Sequence, residues 1–406
     1  MIIKEFIKKE QEKDYVMIPF CVDDDVEKIE VAYRVDARDA TIDIGVKDPK
    51  RIRGFSGGAR DNFYICLDHA TPGYISGELM KGQWEVILGT YEVPQDGCMV
   101  TLEINVVKKH RQWLKGDTHT HTFHSDGKYS LDDASRLMHE QHMDFIICTD
   151  HTTVSHHNNL PTDKGLIFIE GVELTTYKGH SNIVGIKNFD FDFRVLNNED
   201  VYAVFEQAKK QGGYIGINHP YHKGNTWQYA IDLDVVDWIE VWNGPMHDDN
   251  YEAVKLWQQM LQEGYQIPAV GGSDVHRDDI YVKHGIPSLY VLAQSYCKHD
   301  ILEAMKKGNS YISIFDTHLE FYTEHNVIGE KTTDEFVTIE IEGVAQADVV
   351  HIIGSESYQE IEIGDTTTFQ MEKAFGTDIF LRVEVKRFID VTNRHETILL
   401  SNPIYK

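Results

Sequence analysis

Two histidines one residue apart, His119 and His121, stand near the head of the run WLKGDTHTHTFHSDG that begins at Trp113. In an extended strand residues i and i+2 point the same way. The pair therefore aims two imidazoles at one point, as the first two ligands of a metal site must be aimed. Asp126 follows on the next loop, and His151 closes the apolar run FIICTDH. Further on, Glu173 ends LIFIEGVE, His180 precedes NIVGI, His219 follows YIGIN, and Asp274 and His276 follow PAVGGS. Each piece alone is ambiguous, because a single His-x-His is often just exposed histidine on a strand. Together they fall at the ends of successive predicted strands, where loops carry function. The set is too large for one tetrahedral or octahedral ion. It suits a cluster of two or three divalent ions, with Glu173 able to bridge two of them. Without a thiol, imidazole and carboxylate favour Zn, Fe or Mn. His124, His139, His142, His156 and His157 read instead as surface or loop residues.

A metal pair makes hydroxide available at neutral pH and clamps the substrate oxygen. In-line attack of such a hydroxide on phosphorus needs no Ser, Cys or Thr nucleophile. The chain has no P-loop or Rossmann glycine fingerprint to suggest nucleotide chemistry. The expected catalytic residues are Glu173 and Asp274 on the metals, with Arg277 and His222 facing the substrate. Arg277 directly follows Asp-Val-His, and His222 and Lys223 follow His219 by a few residues. Arginine offers a two-pronged fork for phosphate, though pairing with Asp278 or Asp279 is an equal alternative. Asn243 is a weaker polar candidate, and Tyr221, Trp227 and Tyr229 are candidates for the pocket wall. Gly271-Gly272 ahead of Ser273 would let backbones approach closely at a strand end.

The elements that must position these groups alternate strand and helix over 111–316. Leu131, Ala134, Leu137 and Met138 recur at helical spacing after Ser130, a plausible N-cap with Asp133 three residues on. Helices are also expected over 198–212, 250–264 and 300–307, between continuous apolar strands, which argues for a parallel sheet or barrel. Residues 1–110 read as short strands rich in Val, Ile and Tyr separated by turns such as Asp96-Gly97, a β-sandwich. Residues 317–406 alternate apolar and polar positions, as in VTIEIEG, and read as a second sandwich.

Composition narrows the rest. The chain has 406 residues and a formal net charge of −27, which argues against coating nucleic acid or anionic membranes. No apolar run is long enough to span a bilayer, and the N-terminus MIIKEFIKKEQEKDY lacks a signal-peptide core. The five scattered cysteines lack C-x-x-C spacing. A reducing, cytoplasmic setting is expected.

HTHTFHSDG, TDH, GVELTTYKGH, INHP and GGSDVH, in this order, resemble the PHP (polymerase and histidinol phosphatase) superfamily of metallohydrolases. With β domains on both sides, the layout is most similar to its CehA/McbA-like branch. The motifs span about 113–280, and the flanks match in layout only. The resemblance implies a distorted (β/α)7 TIM-like barrel. It implies that His119, His121, Glu173 and Asp274 hold one metal, that Glu173, His180 and His219 hold a second, and that Asp126, His151 and His276 hold a third. Some members carry histidine where this chain has Asp126, a departure that bears on the third position. The expected activity is a phosphoesterase acting on a small phosphate mono- or diester. The alternatives are a carboxylester or carbamate hydrolase using the same metals, and a glycan- or partner-binding protein with a structural metal site.

Overall fold

The computed structural model describes residues 1–161 and 165–406. They form two compact units, one of Met1–Arg111 with Gln294–His299 and one of Gln112–Ala293 with Asp300–Lys406.

The first unit is built on two four-stranded antiparallel sheets. One runs Ile2–Ile7, Cys98–Lys108, Val26–Val35, Asn62–Cys66, and the other Tyr15–Val22, Gly82–Glu92, Thr41–Lys47, Ile52–Phe55. In Tyr15–Val22 the later residues alternate buried and exposed, as one face of a sandwich requires. Ile29, Val31, Trp84, Val86, Val100 and Leu102 share one core. Trp84 is fully buried in it.

The second unit carries the histidines. Its strands β1 (Gln112–Thr120), β2 (Phe145–Cys148), β3 (Ile167–Thr176), β4 (Gly179–Val184), β5 (Tyr214–Ile217), β6 (Trp238–Asn243) and β7 (Ala269–Gly272) pair in chain order. The β1–β2, β2–β3, β5–β6 and β6–β7 ladders are parallel. β4 runs antiparallel to both neighbours. β2, β4 and β6 are buried along their whole length, and β2, FIIC, accordingly reads as a continuous apolar run. Helix α1 (Leu131–Glu140) joins β1 to β2, α2 (Asn198–Lys210) joins β4 to β5, and α3 (Asp248–Gln262) joins β6 to β7. α1 starts on the expected capping box: Asp133 N donates to Ser130 Oγ at 3.0 Å, and Ser130 N donates to the Asp133 carboxylate at 3.2 Å. No helix among the described residues is long and apolar enough to cross a membrane.

The expected (β/α)7 barrel is corrected in two respects. Among the described residues no α-helix follows β2, β3 or β5 directly. The ring also does not close as a regular barrel. The first half of β1, Gln112–Gly116, is taken by the antiparallel strand β8 (Ser288–Ala293). Only the second half of β1 faces β7, through Thr118 Oγ1 donating to Gly271 O at 3.0 Å and one bridge between Thr120 and Val275. Pairing therefore continues outward through β9 (Ser310–Ser313) instead of returning to β7.

That continuation carries residues 317–406 into the same unit. They supply β10 (His318–Tyr322), β11 (Phe336–Glu342), β12 (Val349–Gly354), β13 (Tyr358–Glu362), β14 (Thr368–Ala374), β15 (Phe380–Ile389) and β16 (Arg394–Ser401). β9 pairs β16, and the long sheet runs on through β15 and β12 to β13. β10, β11 and β14 form a separate three-stranded sheet. Asn402 fastens the junction: its side chain accepts from Ala269 N at 2.8 Å and donates to Ser310 O at 3.1 Å.

Where β1 and β7 face each other there is no room for a side chain on β7. A Cβ on Gly272 would lie 2.6 Å from His119 Cβ and 2.9 Å from its backbone nitrogen. Gly272→Ala must therefore move backbone. It is expected to cost about 1–3 kcal/mol and to lower the metal content of purified protein, as denaturant melts and elemental analysis of the variant would show.

Candidate metal centre

The strand ends bring the predicted ligands around one buried carboxylate. Glu173, on β3, is about 1% exposed. Its Oε1 lies 3.4 Å from His119 Nε2, 3.1 Å from His180 Nδ1 and 3.4 Å from His219 Nε2. Its Oε2 lies 3.4 Å from His121 Nε2 and 2.9 Å from His151 Nδ1. Asp274, just past β7, sets Oδ1 3.1 Å from His121 Nε2 and 3.5 Å from His119 Nε2. Asp126 and His276 close the outer edge: Asp126 Oδ1 is 3.3 Å from His276 Nε2 and 3.5 Å from His151 Nε2. All nine candidates thus lie in one cluster. Asp274 and His219 hold φ values of 52° and 27°, left-handed backbone at two strand ends that persists where surroundings over-determine it.

The pattern fits metal ions. His119 Nε2, His121 Nε2, Glu173 Oε2 and Asp274 Oδ1 are buried and make no hydrogen bond in the structure, although they converge on one another. Buried polar atoms without partners are costly, and an ion shared by them removes that cost. Four groups place one atom from each residue within 4.8 Å of the others: His121/Asp126/His151/His276, His119/His121/Asp274, His151/Glu173/His180 and His119/His219/Glu240.

Glu240 is the member that sequence reading missed. It sits in β6, Trp238–Asn243, every residue of which is buried. Its Oε1 is 2.9 Å from His119 Nδ1, and its Oε2 accepts from His219 N at 3.1 Å and Asn243 Nδ2 at 3.1 Å. A carboxylate behind a ligating histidine fixes the ring and raises its basicity. The available signal was an acid inside the apolar run WIEVW, since a charge is rarely buried without a partner. Asn218 does similar work for Glu173, donating to Oε1 at 2.8 Å. Glu240→Gln is expected to weaken metal binding about 10- to 100-fold without unfolding the chain, as titration of stripped protein with metal would show.

Electrostatics follow from the same contacts. Burial alone would lower the pKa of His119, but Asp274, Glu240 and Glu173 push it well above the ordinary value. Burial also works against the proton on His151 and His219, and Glu173 chiefly reverses the direction, so both are raised. For His121 burial prevails over Asp274 and Glu173, and its pKa is lowered. Glu173 and Asp274 are held well below the carboxylate range: burial would raise both, and the surrounding histidines, His119 first, overcome it.

The remaining sequence candidates are spread around this cluster. His222 packs beside His219 with ring centroids 5.4 Å apart, and its Nδ1 is buried without a partner. Burial, then the charge on His219, lowers its pKa. Arg277 is exposed. Its two suggested carboxylates are engaged elsewhere, Asp278 with Lys283 at 3.1 Å and Asp279 with Tyr281 N at 2.7 Å. Lys223 is held at the rim, where its backbone N–H donates to Asp249 at 3.1 Å. Asn243 Nδ2 is 3.3 Å from Asp274 Oδ2. Tyr229 is buried, and its hydroxyl donates to Thr176 Oγ1 at 2.9 Å. His156 is not the surface residue expected. It is fully buried, with Nδ1 3.1 Å from Asp150 Oδ2. Asp150 also accepts from Thr122 N at 2.8 Å, Thr122 Oγ1 at 2.7 Å and Ser125 Oγ at 2.7 Å. These bonds tie the HSDG loop that bears Asp126 to the TDH loop that bears His151.

No family model matches the chain, and no curated protein matches it. Among solved structures, one similar chain is a two-domain protein from Bacteroides vulgatus ATCC 8482 containing a predicted PHP-like metal-dependent phosphoesterase. It is 18% identical with a TM-score of 0.42, over 73% of this chain and 95% of that one. Another is an amidohydrolase from Chromobacterium violaceum with bound sulfate and no metal. It is 13% identical with a TM-score of 0.29, over 41% of this chain and 89% of that one. Neither likeness is close enough to fix a family.

Proposed function

We propose that this chain is a metal-dependent hydrolase of the PHP type that cleaves a small phosphate mono- or diester. The observation that carries the reading is the ring of buried, unpartnered ligand atoms around Glu173. His119, His121 and Asp274 would hold one ion with Glu173, and His180 and His219 a second with the same carboxylate. Asp126, His151 and His276 would hold a third at the outer edge, where the Asp126 side chain is 65% exposed. Zn, Fe and Mn are the ions this donor set favours. Two or three such ions supply acidified water and charge neutralisation at the scissile oxygen.

The chain's own residues supply the rest. Glu240 orients His119, and Asn218 orients Glu173. His222, unprotonated at neutral pH, offers a buried nitrogen beside His219 to take or hold a substrate proton. Arg277, with its neighbouring carboxylates engaged, is available to a phosphate oxygen. The substrate is a small molecule, and neither nucleic acid nor membrane is the target of so acidic a chain. A cytoplasmic setting agrees with the five free cysteines, four of them buried.

A carboxylester or carbamate substrate is the second reading. The observation favouring it is that no Lys or Arg among the described residues forms an ion pair with the cluster carboxylates Glu173, Asp274, Asp126 and Glu240. A neutral substrate would not call for one.

The test is elemental analysis of protein purified without chelator, with p-nitrophenyl phosphate, its bis ester and p-nitrophenyl acetate assayed on the same sample. Two or three transition ions per chain and phosphate turnover that collapses in Arg277→Ala support the phosphoesterase. Acetate turnover alone, indifferent to Arg277, moves the assignment to carbonyl chemistry. No bound metal after reconstitution overturns both.

A further inference from the structure

Asp126, His151 and His276, the three ligands of the outer edge, all stand on loops, whereas His119, Glu173 and His180 stand on β1, β3 and β4. A loop holds a ligand less precisely than a strand does. Among the described residues only His151 and His276 come within ion-pair reach of the Asp126 carboxylate, which is 65% exposed. Packing therefore does not place Asp126, and the backbone of its loop does. One carboxylate fastens that loop. Asp150, one residue before His151, is fully buried. From the Asp126 loop it accepts Thr122 N at 2.8 Å, Thr122 Oγ1 at 2.7 Å and Ser125 Oγ at 2.7 Å. On the far side of Asp126 the chain folds back on itself, and a Cβ on Gly127 would lie 2.6 Å from the His121 carbonyl. Lys128 N then donates to His276 O at 2.6 Å. The Asp126 loop is thus tied on one side to the loop of His151 and on the other to that of His276. The His151 loop is itself moored on β3, where His157 Nε2 lies 3.0 Å from Gly171 O.

His156 is the unusual member of this network. It is fully buried, and its Nδ1 faces Asp150 Oδ2 at 3.1 Å without the alignment of a hydrogen bond, while its Nε2 has no partner. Buried polar atoms without partners cost stability, and a leucine would fill the same space without that cost. What the ring offers and a leucine does not is a nitrogen directed at a buried charge, which is costly to leave unopposed. The inner ligands have supports of their own. Glu240 stands behind His119 and accepts from His219 N, and Asn218 donates to Glu173. None of these bonds passes through Asp150 or His156.

We infer that Asp150 and His156 are positioning residues for the outermost of the three ions, which rests on the ion positions proposed above: they decide whether that ion is held and leave the inner pair alone. The test is titration of the stripped full chain with Mn²⁺, free ion being counted by electron paramagnetic resonance, in the parent, Ser125→Ala, His156→Leu and His156→Asn. The parent should bind three ions. In Ser125→Ala and His156→Leu the most weakly held ion should bind about 10- to 100-fold more weakly, the scale of a lost outer-shell partner, while the other two change less than about twofold. His156→Asn, whose amide can donate close to where Nδ1 stands, should keep more of the third ion than His156→Leu. If His156→Leu does not fold, Ser125→Ala carries the test, because it removes one hydroxyl from a half-buried loop residue. A packing role for His156 predicts instead a lower melting temperature of the stripped variant with all three ions retained, and that result would overturn the inference. Equal weakening of all three ions would overturn it as well. A parent that binds only two ions has no outer position, so that the inference falls while the inner pair stands. A parent that binds none overturns the metal reading itself, and the inference with it.

Discussion

Replacing Glu173 by Gln should strip metal from the chain and remove the proposed hydrolytic activity, the largest single-residue effect expected here. The carboxylate lies between 2.9 and 3.4 Å from five imidazole nitrogens, on His119, His121, His151, His180 and His219. It is the one group that both inner ion positions share. Gln keeps the shape and one acceptor oxygen, so Asn218, which donates to Oε1 at 2.8 Å, can stay satisfied and the fold should survive. The amide nitrogen, however, is not a ligand at neutral pH and would point a donor at the histidines. Outer-shell changes around metals cost about 10- to 100-fold, and removal of a shared inner ligand should exceed that in both metal affinity and turnover. A second readout does not depend on turnover. Glu173 is one of three carboxylates that hold a proton on His119, after Asp274 and Glu240. In stripped Glu173→Gln protein, NMR titration should find His119 losing its proton at lower pH than in the parent. A variant with unchanged metal content and unchanged His119 titration would remove Glu173 from the centre of the site.

Local patterning carried much of this site. The end of β2 was legible because FIIC is apolar throughout and stops just before His151, and α1 was legible because Ser130 and Asp133 form its capping box. What local pattern could not show depends on distant partners. The β9–β16 ladder, with Tyr311 opposite Ser401, joins segments that have no short-range signal for each other, so residues 317–406 read as separate. The division of β1 between β8 and β7 is likewise set by register and not by composition, and it is what keeps the sheet from closing. Glu240 and His156 escaped for one shared reason. Each is a buried polar group whose meaning is its partner, His119 in one case and Asp150 in the other, and spacing along the chain does not reveal such a pair.

The raised histidines of the cluster and the metal ions should make pH-dependent contributions to stability of opposite sign between about pH 6 and 8, the range in which ordinary histidines lose their protons. In the stripped protein His119, His151 and His219 have raised pKa values. A group raised on folding contributes stability that is complete below its unfolded value, about 6.5 for histidine, and is lost as pH rises through its folded value. His121, which is lowered, opposes the three, as do His222 beside the cluster and His157, His247, His284 and His351, so the contribution of the cluster is read as a difference from a variant that lacks its central carboxylate. Glu173 and Asp274, depressed on folding, contribute above their unfolded values of about 4 and are constant across this window. The stabilisation that His119, His151 and His219 give the stripped protein should therefore be lost as pH rises. Metal binding runs the other way, because imidazole must be neutral to ligate and each bound ion displaces protons. At free metal about 100-fold above its dissociation constant, one ion adds about 2.7 kcal/mol, roughly 5 °C of melting temperature for a unit of this size. The gap between the two melting curves should widen by that order from pH 6 to pH 8. General repulsion in a chain of net charge −27 also weakens the fold as pH rises, so the control is the slope in stripped Glu173→Gln, which should be shallower at equal salt. A slope identical in the stripped parent and the stripped variant would mean that the cluster does not hold the extra protons and that ions are not competing with them for the same nitrogens.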